Sequence, residues 1–95
     1  MGDLTQGDKT TLMYFVYVLK SDENDDIYIG STENIQNRLG QHNSGKVRST
    51  KAYKPWRLLE YREFLTRPEA VRHERFLKTG QQKELLKRKY GHVAK

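Results

Sequence analysis

Five side chains in this chain have the types and spacing needed to bind and cut a phosphodiester. Tyr17 and Tyr28 sit in two apolar runs, Phe15-Val16-Tyr17-Val18-Leu19 and Ile27-Tyr28-Ile29-Gly30. Arg38 follows Tyr28, and His42 stands four positions further on. A guanidinium fork suits two phosphate oxygens at once, and phenols and imidazoles can carry protons. The fifth group is Glu74. With Ala70 set to 0° and about 100° per helical residue, Val71 falls at roughly 100°, Leu77 at roughly −20° and Glu74 at roughly 40°. The carboxylate therefore lies inside an apolar stripe, where it needs an ion-pair partner, hydrogen bonds or a metal. Two readings of it stand: a salt bridge to an arginine or a partly exposed edge position, or a ligand for a hard divalent cation such as Mg²⁺ or Mn²⁺. The other four also have plain roles. Tyrosines pack well in strands, Arg38 suits a solvent-facing helix position, and a histidine near a helix end favours the dipole there.

These groups need elements to hold them. Residues 12–20 are β-prone and apolar on both faces, which predicts a central strand. Ser21 to Asp26 is turn chemistry, and Ile27 to Gly30 is a second strand, so the pair reads as an antiparallel hairpin. Thr32 is the expected cap of a helix from about Glu33 to Asn43, with Gly45 as its stop signal. Ile35, Leu39 and His42 fall near one stripe of that helix, and Arg38 and His42 project side by side from it. A basic polar loop covers 44–55. Trp56 to Phe64 alternates as a third strand, with Trp56 and Leu58 on one face and Leu59 and Tyr61 on the other. Thr66-Arg67-Pro68-Glu69 is a capping box with proline in the first turn; it opens a helix to about Lys78 that Gly80 ends. Gln81 to Lys89 is a basic third helix with Leu85 and Leu86 inward. The order is β-β-α-β-α-α. Residues 1–11 and 91–95 are expected to be tails around one domain, 12–90.

At 95 residues the chain makes one small domain with a modest core. It has no cysteine, which excludes disulfides and thiolate metal sites and fits a reducing, cytoplasmic setting. No apolar stretch is long enough to span a membrane, and the N-terminus is not a signal peptide. The net charge of +6 is uneven. Residues 1–45 hold three Lys/Arg and seven Asp/Glu, whereas 46–95 hold fifteen and five. A basic half is the footprint of a polyanion partner, or simply a solubilising surface.

Taken in order, these residues resemble the GIY-YIG endonuclease superfamily, and in particular its small single-domain bacterial members. Tyr28-Ile29-Gly30 stands as the second half of the signature, while the first half is degenerate, Phe15-Val16-Tyr17, with the tyrosine at Tyr17. Arg38, His42 and Glu74 match the helix arginine, the histidine one turn on and the later glutamate. Residues 69–78, His42-Asn43-Ser44-Gly45-Lys46 and Lys54-Pro55-Trp56 carry the likeness further, over roughly residues 12–90.

The resemblance implies an α+β fold: a three-stranded antiparallel sheet flanked by helices, with a cleft on the sheet face. It implies Mg²⁺- or Mn²⁺-assisted hydrolysis of DNA, in work such as repair or recombination. In that scheme Glu74 holds the metal, Arg38 stabilises the transition state, and Tyr17, Tyr28 or His42 supplies the base. A later asparagine found in some members is missing after Glu74. No further DNA-reading domain is expected, so branched or nicked structures are the expected targets. Lys46, Arg48, Lys51 and Lys54 in the loop, and Lys83, Lys87, Arg88 and Lys89 in the last helix, would grip phosphates without reading sequence. The alternative is a nucleic-acid-binding module on the same fold with little or no catalysis.

Overall fold

The computed structural model describes residues 13–91; Leu12 and the two expected tails, apart from Gly91, lie outside the described residues. β1 (Tyr14–Ser21), β2 (Ile27–Thr32) and β3 (Trp56–Phe64) form an antiparallel sheet in the order β2-β1-β3. The strand apolar on both faces is thus the central one, because only there do both faces lie under other elements. The helices are α1 (Ile35–Asn43), α2 (Arg67–Leu77) and α3 (Gly80–Leu86), the last running into a π-type turn, Lys87–Gly91.

One face of the sheet carries Val16, Val18 and Ile29 against Ala70, Leu77 and Leu86 of α2 and α3. The other carries Tyr17, Leu19 and Trp56, with Ile35 and Leu39 of α1 packed on them. Burying each such aliphatic side chain contributes about 1.5–3 kcal/mol, so both layers matter to a chain this small.

Several local expectations are corrected. The N-cap of α1 is Asn34, whose side chain accepts from the Asn37 amide at 2.9 Å; Thr32, two residues earlier, instead takes the Asn34 amide at 3.1 Å. Thr66 caps α2 as expected, but Gly80 begins α3 rather than ending α2, because Thr79 supplies a fresh cap to the Gln82 amide. Leu86 is buried and Leu85 is half exposed, since consecutive helical residues cannot share a face.

The largest correction concerns β3. Its pairing with β1 slips between Val18 and Leu19: Val18 faces Glu60, but Leu19 faces Leu58. The extra residue, Leu59, is a bulge. Beyond it Tyr61 pairs with Tyr17 and so lies on the same face as Leu58, opposite to what plain alternation predicts. The start of β3 is fixed by Asn43 at the end of α1. Its amide accepts from the Trp56 N–H at 2.5 Å and donates to the Trp56 carbonyl at 2.9 Å.

Candidate active site

Tyr17 and Gly30 are direct partners across β1 and β2. The Tyr17 ring lies over that glycine: a Cβ at position 30 would stand 2.6 Å from the phenol oxygen and 2.8 Å from Cζ. The glycine of the second apolar run is therefore the space the first tyrosine occupies. Tyr28 projects from the same face, its ring 6.3 Å from that of Tyr17 and 4.9 Å from His42.

His42 is wholly buried, held between Tyr17 and Thr50. The Tyr17 oxygen is 2.9 Å from Nε2, and Thr50 Oγ1 is 2.7 Å from Nδ1. The Thr50 hydroxyl donates to the Val47 carbonyl, which leaves its oxygen to accept from Nδ1–H. That tautomer leaves Nε2 free to accept the Tyr17 proton, giving a continuous chain from phenol to loop backbone. Burial pushes the imidazole down to about 4, and the nearby Arg38 charge adds to the shift, so His42 is neutral at pH 7. Burial likewise pushes the Tyr17 phenol up to about 12. The Arg38 guanidinium beside it pulls the other way by hydrogen bond and charge, while Tyr28 and the Glu74 charge add to the rise.

Tyr28, Arg38 and Glu74 are thus all felt at one phenol oxygen. They arrive from both sides of the sheet. Tyr17, Tyr28, Arg38 and His42 belong to the α1 side. Glu74 comes from α2, beneath the other face, and bonds Ser31 at the outer strand β2, its Oε1 accepting the Ser31 hydroxyl at 2.8 Å. Its other oxygen pairs with Lys78 at 2.8 Å. The salt-bridge reading of Glu74 thus holds, although the partner is a lysine one turn on and not an arginine. Between the two sides lies an open cleft of about 460 Å³ lined by Ser31, Arg38, Gln41, Tyr14 and Arg67 among others. The expected cleft on a sheet face is therefore a cleft at the end of the sheet.

Sequence reasoning missed four of these contributors. Ser31 holds Glu74, Thr50 fixes the His42 tautomer, Gln41 accepts from Arg38 at 2.8 Å, and Arg67 leans over the Tyr14 ring at 5.9 Å. Arg67 carried a signal, as a cation beside the capping threonine of the helix that brings Glu74. The others have no marker beyond their place in the fold.

The basic residues divide. The loop of Lys46, Arg48, Lys51 and Lys54 is exposed and tied to the site through Thr50. Lys83, Lys87 and Arg88 lie on or after α3, which packs on the opposite face through Leu86, and Lys83 is half-buried. The two groups do not share one side of the sheet.

Among the described residues no three His, Cys, Asp or Glu side chains cluster as metal ligands. The donor set is a single carboxylate, Glu74, half-buried and outside the lining of the polar cleft. That suits Mg²⁺ or Mn²⁺, which bind through one or two carboxylates and fill their remaining positions with water and substrate phosphate. It does not suit zinc in an all-protein cage.

Among the described residues, no helix is long and apolar enough to cross a membrane. The family profile described as the GIY-YIG catalytic domain matches residues 13–91. A UPF0213 protein of Staphylococcus haemolyticus is 35% identical over 75 residues, covering 78% of this chain and 90% of that protein. One from Bacillus pumilus is 38% identical over 72 residues, covering 75% and 72%. The solution structure of a UPF0213 protein from Bacillus halodurans matches with a TM-score of 0.50 and 29% identity, covering 87% of this chain and 90% of that one. The chain belongs to the GIY-YIG catalytic-domain family and has its nuclease-type α+β fold.

Proposed function

We propose that the protein is a divalent-metal-dependent endonuclease that hydrolyses DNA phosphodiesters through Tyr17, Tyr28, Arg38, His42 and Glu74. The observation that carries this reading is the bonded pair of a phenol and a neutral imidazole with an arginine beside it. A phenol held near 12 is a poor base alone. Bonded to His42, Tyr17 can take a proton from the attacking water while passing its own to Nε2. The histidine ends as an imidazolium and the phenol ends neutral, so no phenolate need form. Thr50 keeps Nδ1 protonated throughout. Arg38 binds the non-bridging oxygens of the scissile phosphate and stabilises the charge that grows on them. Tyr28 orients the water. Glu74, steadied by Ser31, would hold Mg²⁺ or Mn²⁺; such an ion polarises the phosphate and stabilises the leaving oxygen.

The substrate class follows from family and charge: DNA, gripped along its backbone by the loop cations. Branched or nicked DNA, as met in repair or recombination, is the target that suits a core with little surface for reading sequence. One observation favours the second reading, a binding module without catalysis. Both oxygens of Glu74 already have protein partners, Ser31 and Lys78. A cleavage assay separates the two. Supercoiled plasmid, single-stranded and branched DNA are incubated with Mg²⁺ or Mn²⁺ beside the Arg38→Ala and Glu74→Ala variants. The nuclease reading expects cleavage that falls at least about a hundredfold in both variants. Cleavage that survives both substitutions refutes it, and salt-sensitive binding without cleavage supports the module.

A further inference from the structure

A second groove adjoins the phosphate cleft. It has a volume of about 480 Å³ and shares Glu33 and Asn34, at the start of α1, with the cleft that holds Arg38 and Arg67. Its floor is apolar: Phe15 of β1 with Leu58 and Tyr61 of β3. Phe15 and Tyr61 meet edge to face, centroids 5.9 Å apart and planes at 74°. Tyr61 is 53% exposed, so its ring is open to a ligand. It is here only because the Leu59 bulge turns it onto the face of Tyr17. The rim is not cationic, since Glu33, Asn34 and Glu63 line it.

The two grooves differ in chemistry. The first sets two arginines against the shared Glu33 and fits phosphate. The second adds Glu63 and would repel phosphate, yet it offers the exposed ring of Tyr61 on its floor and amide and carboxylate groups at the edge. Those are the groups that stack on a base and bond its polar edge. In a duplex the bases are stacked away from such a floor; only an unpaired base can reach it. We propose that the Phe15–Tyr61 groove seats one unpaired nucleobase of the strand whose phosphate lies at Arg38. The preferred substrate is then DNA with a single-stranded flap or unpaired nucleotide next to the cut. The inference rests on the nuclease reading for the identity of that strand.

The test uses a duplex carrying a short flap, with the fluorescent base 2-aminopurine either in the flap or within the paired region. The Glu74→Gln protein is used, so that binding is read without cleavage. Stacking on the groove should quench the flap probe and leave the paired probe bright. Tyr61→Ala and Tyr61→Leu should abolish the quenching and weaken flap binding about tenfold. Tyr61→Phe, which keeps the ring, should retain both. Tyr61→Leu keeps apolar bulk on the strand and so separates loss of stacking from loss of folding. No quenching of the flap probe, or quenching unchanged in Tyr61→Leu, overturns the proposal. Cleavage by the unsubstituted protein is followed separately. If it cuts no DNA but the flap probe is still quenched by Tyr61, the groove stands and the nuclease reading fails.

Discussion

His42 should make the fold acid-sensitive well above the carboxylate range. Its imidazole is wholly buried and bonded at both nitrogens in the neutral form, and its pKa falls from 6.5 in the open chain to about 4 in the fold. A group depressed in this way leaves the folded state with fewer bound protons than the unfolded state across that window. Stability is therefore complete above pH 6.5, falls as pH falls, and stops falling on this account near pH 4. At about 1.4 kcal/mol per pH unit the total is about 3 kcal/mol, with about 2 kcal/mol lost by pH 5. That is a large part of what a 95-residue domain has to spare. His73, half-buried on α2 and also lowered by burial, adds in the same direction. Urea unfolding at half-unit steps from pH 7.5 to 4.5 measures the loss, and His42→Gln, which has no titratable ring, isolates the share due to His42. Following the ring protons of His42 by NMR gives its pKa directly. A His42 that titrates near 6.5, or the same pH slope in His42→Gln, refutes the reasoning.

Three further outcomes follow from the geometry. Gly30→Ala places a methyl within 2.6 Å of the Tyr17 oxygen and should cost about 1–3 kcal/mol in thermal or urea unfolding, with loss of the Tyr17–His42 bond visible in the His42 ring shifts. Asn43→Ala removes two bonds to the Trp56 backbone and should destabilise by about 1–3 kcal/mol, read as a lower urea midpoint. Arg67→Ala should raise KM with little change in kcat, and reduce the slope of log affinity against log salt by about 1; an unchanged slope would show that Arg67 touches no phosphate.

Much of this protein is legible in its sequence because the information is local. The identity of each element, the Thr66 cap and the β-β-α-β-α-α order depend on neighbours a few residues apart, and the structure keeps them. Tyr17, Tyr28, Arg38, His42 and Glu74 were recognisable as an ordered set through family likeness. Individually they read as packing and surface residues.

What the chain could not declare locally was decided by contacts across long separations. The bulge at Leu59 arises from how β3 packs on β1, and one inserted residue moves Tyr61 from one face of the sheet to the other. Alternation along β3 alone cannot show this, because the slip exists only relative to a partner strand. Glu74 bonds Ser31, 43 residues away, and the fixed tautomer of His42 depends on Thr50 in a loop of no regular pattern. The sequence by itself determined the types and order of the five expected groups, Tyr17, Tyr28, Arg38, His42 and Glu74. Tertiary structure decided that Glu74 comes from beneath one face of the sheet and the other four from the opposite face, and it set the burial and charge at the Tyr17 oxygen, which depend on everything packed around it and not on the residues beside it in the chain.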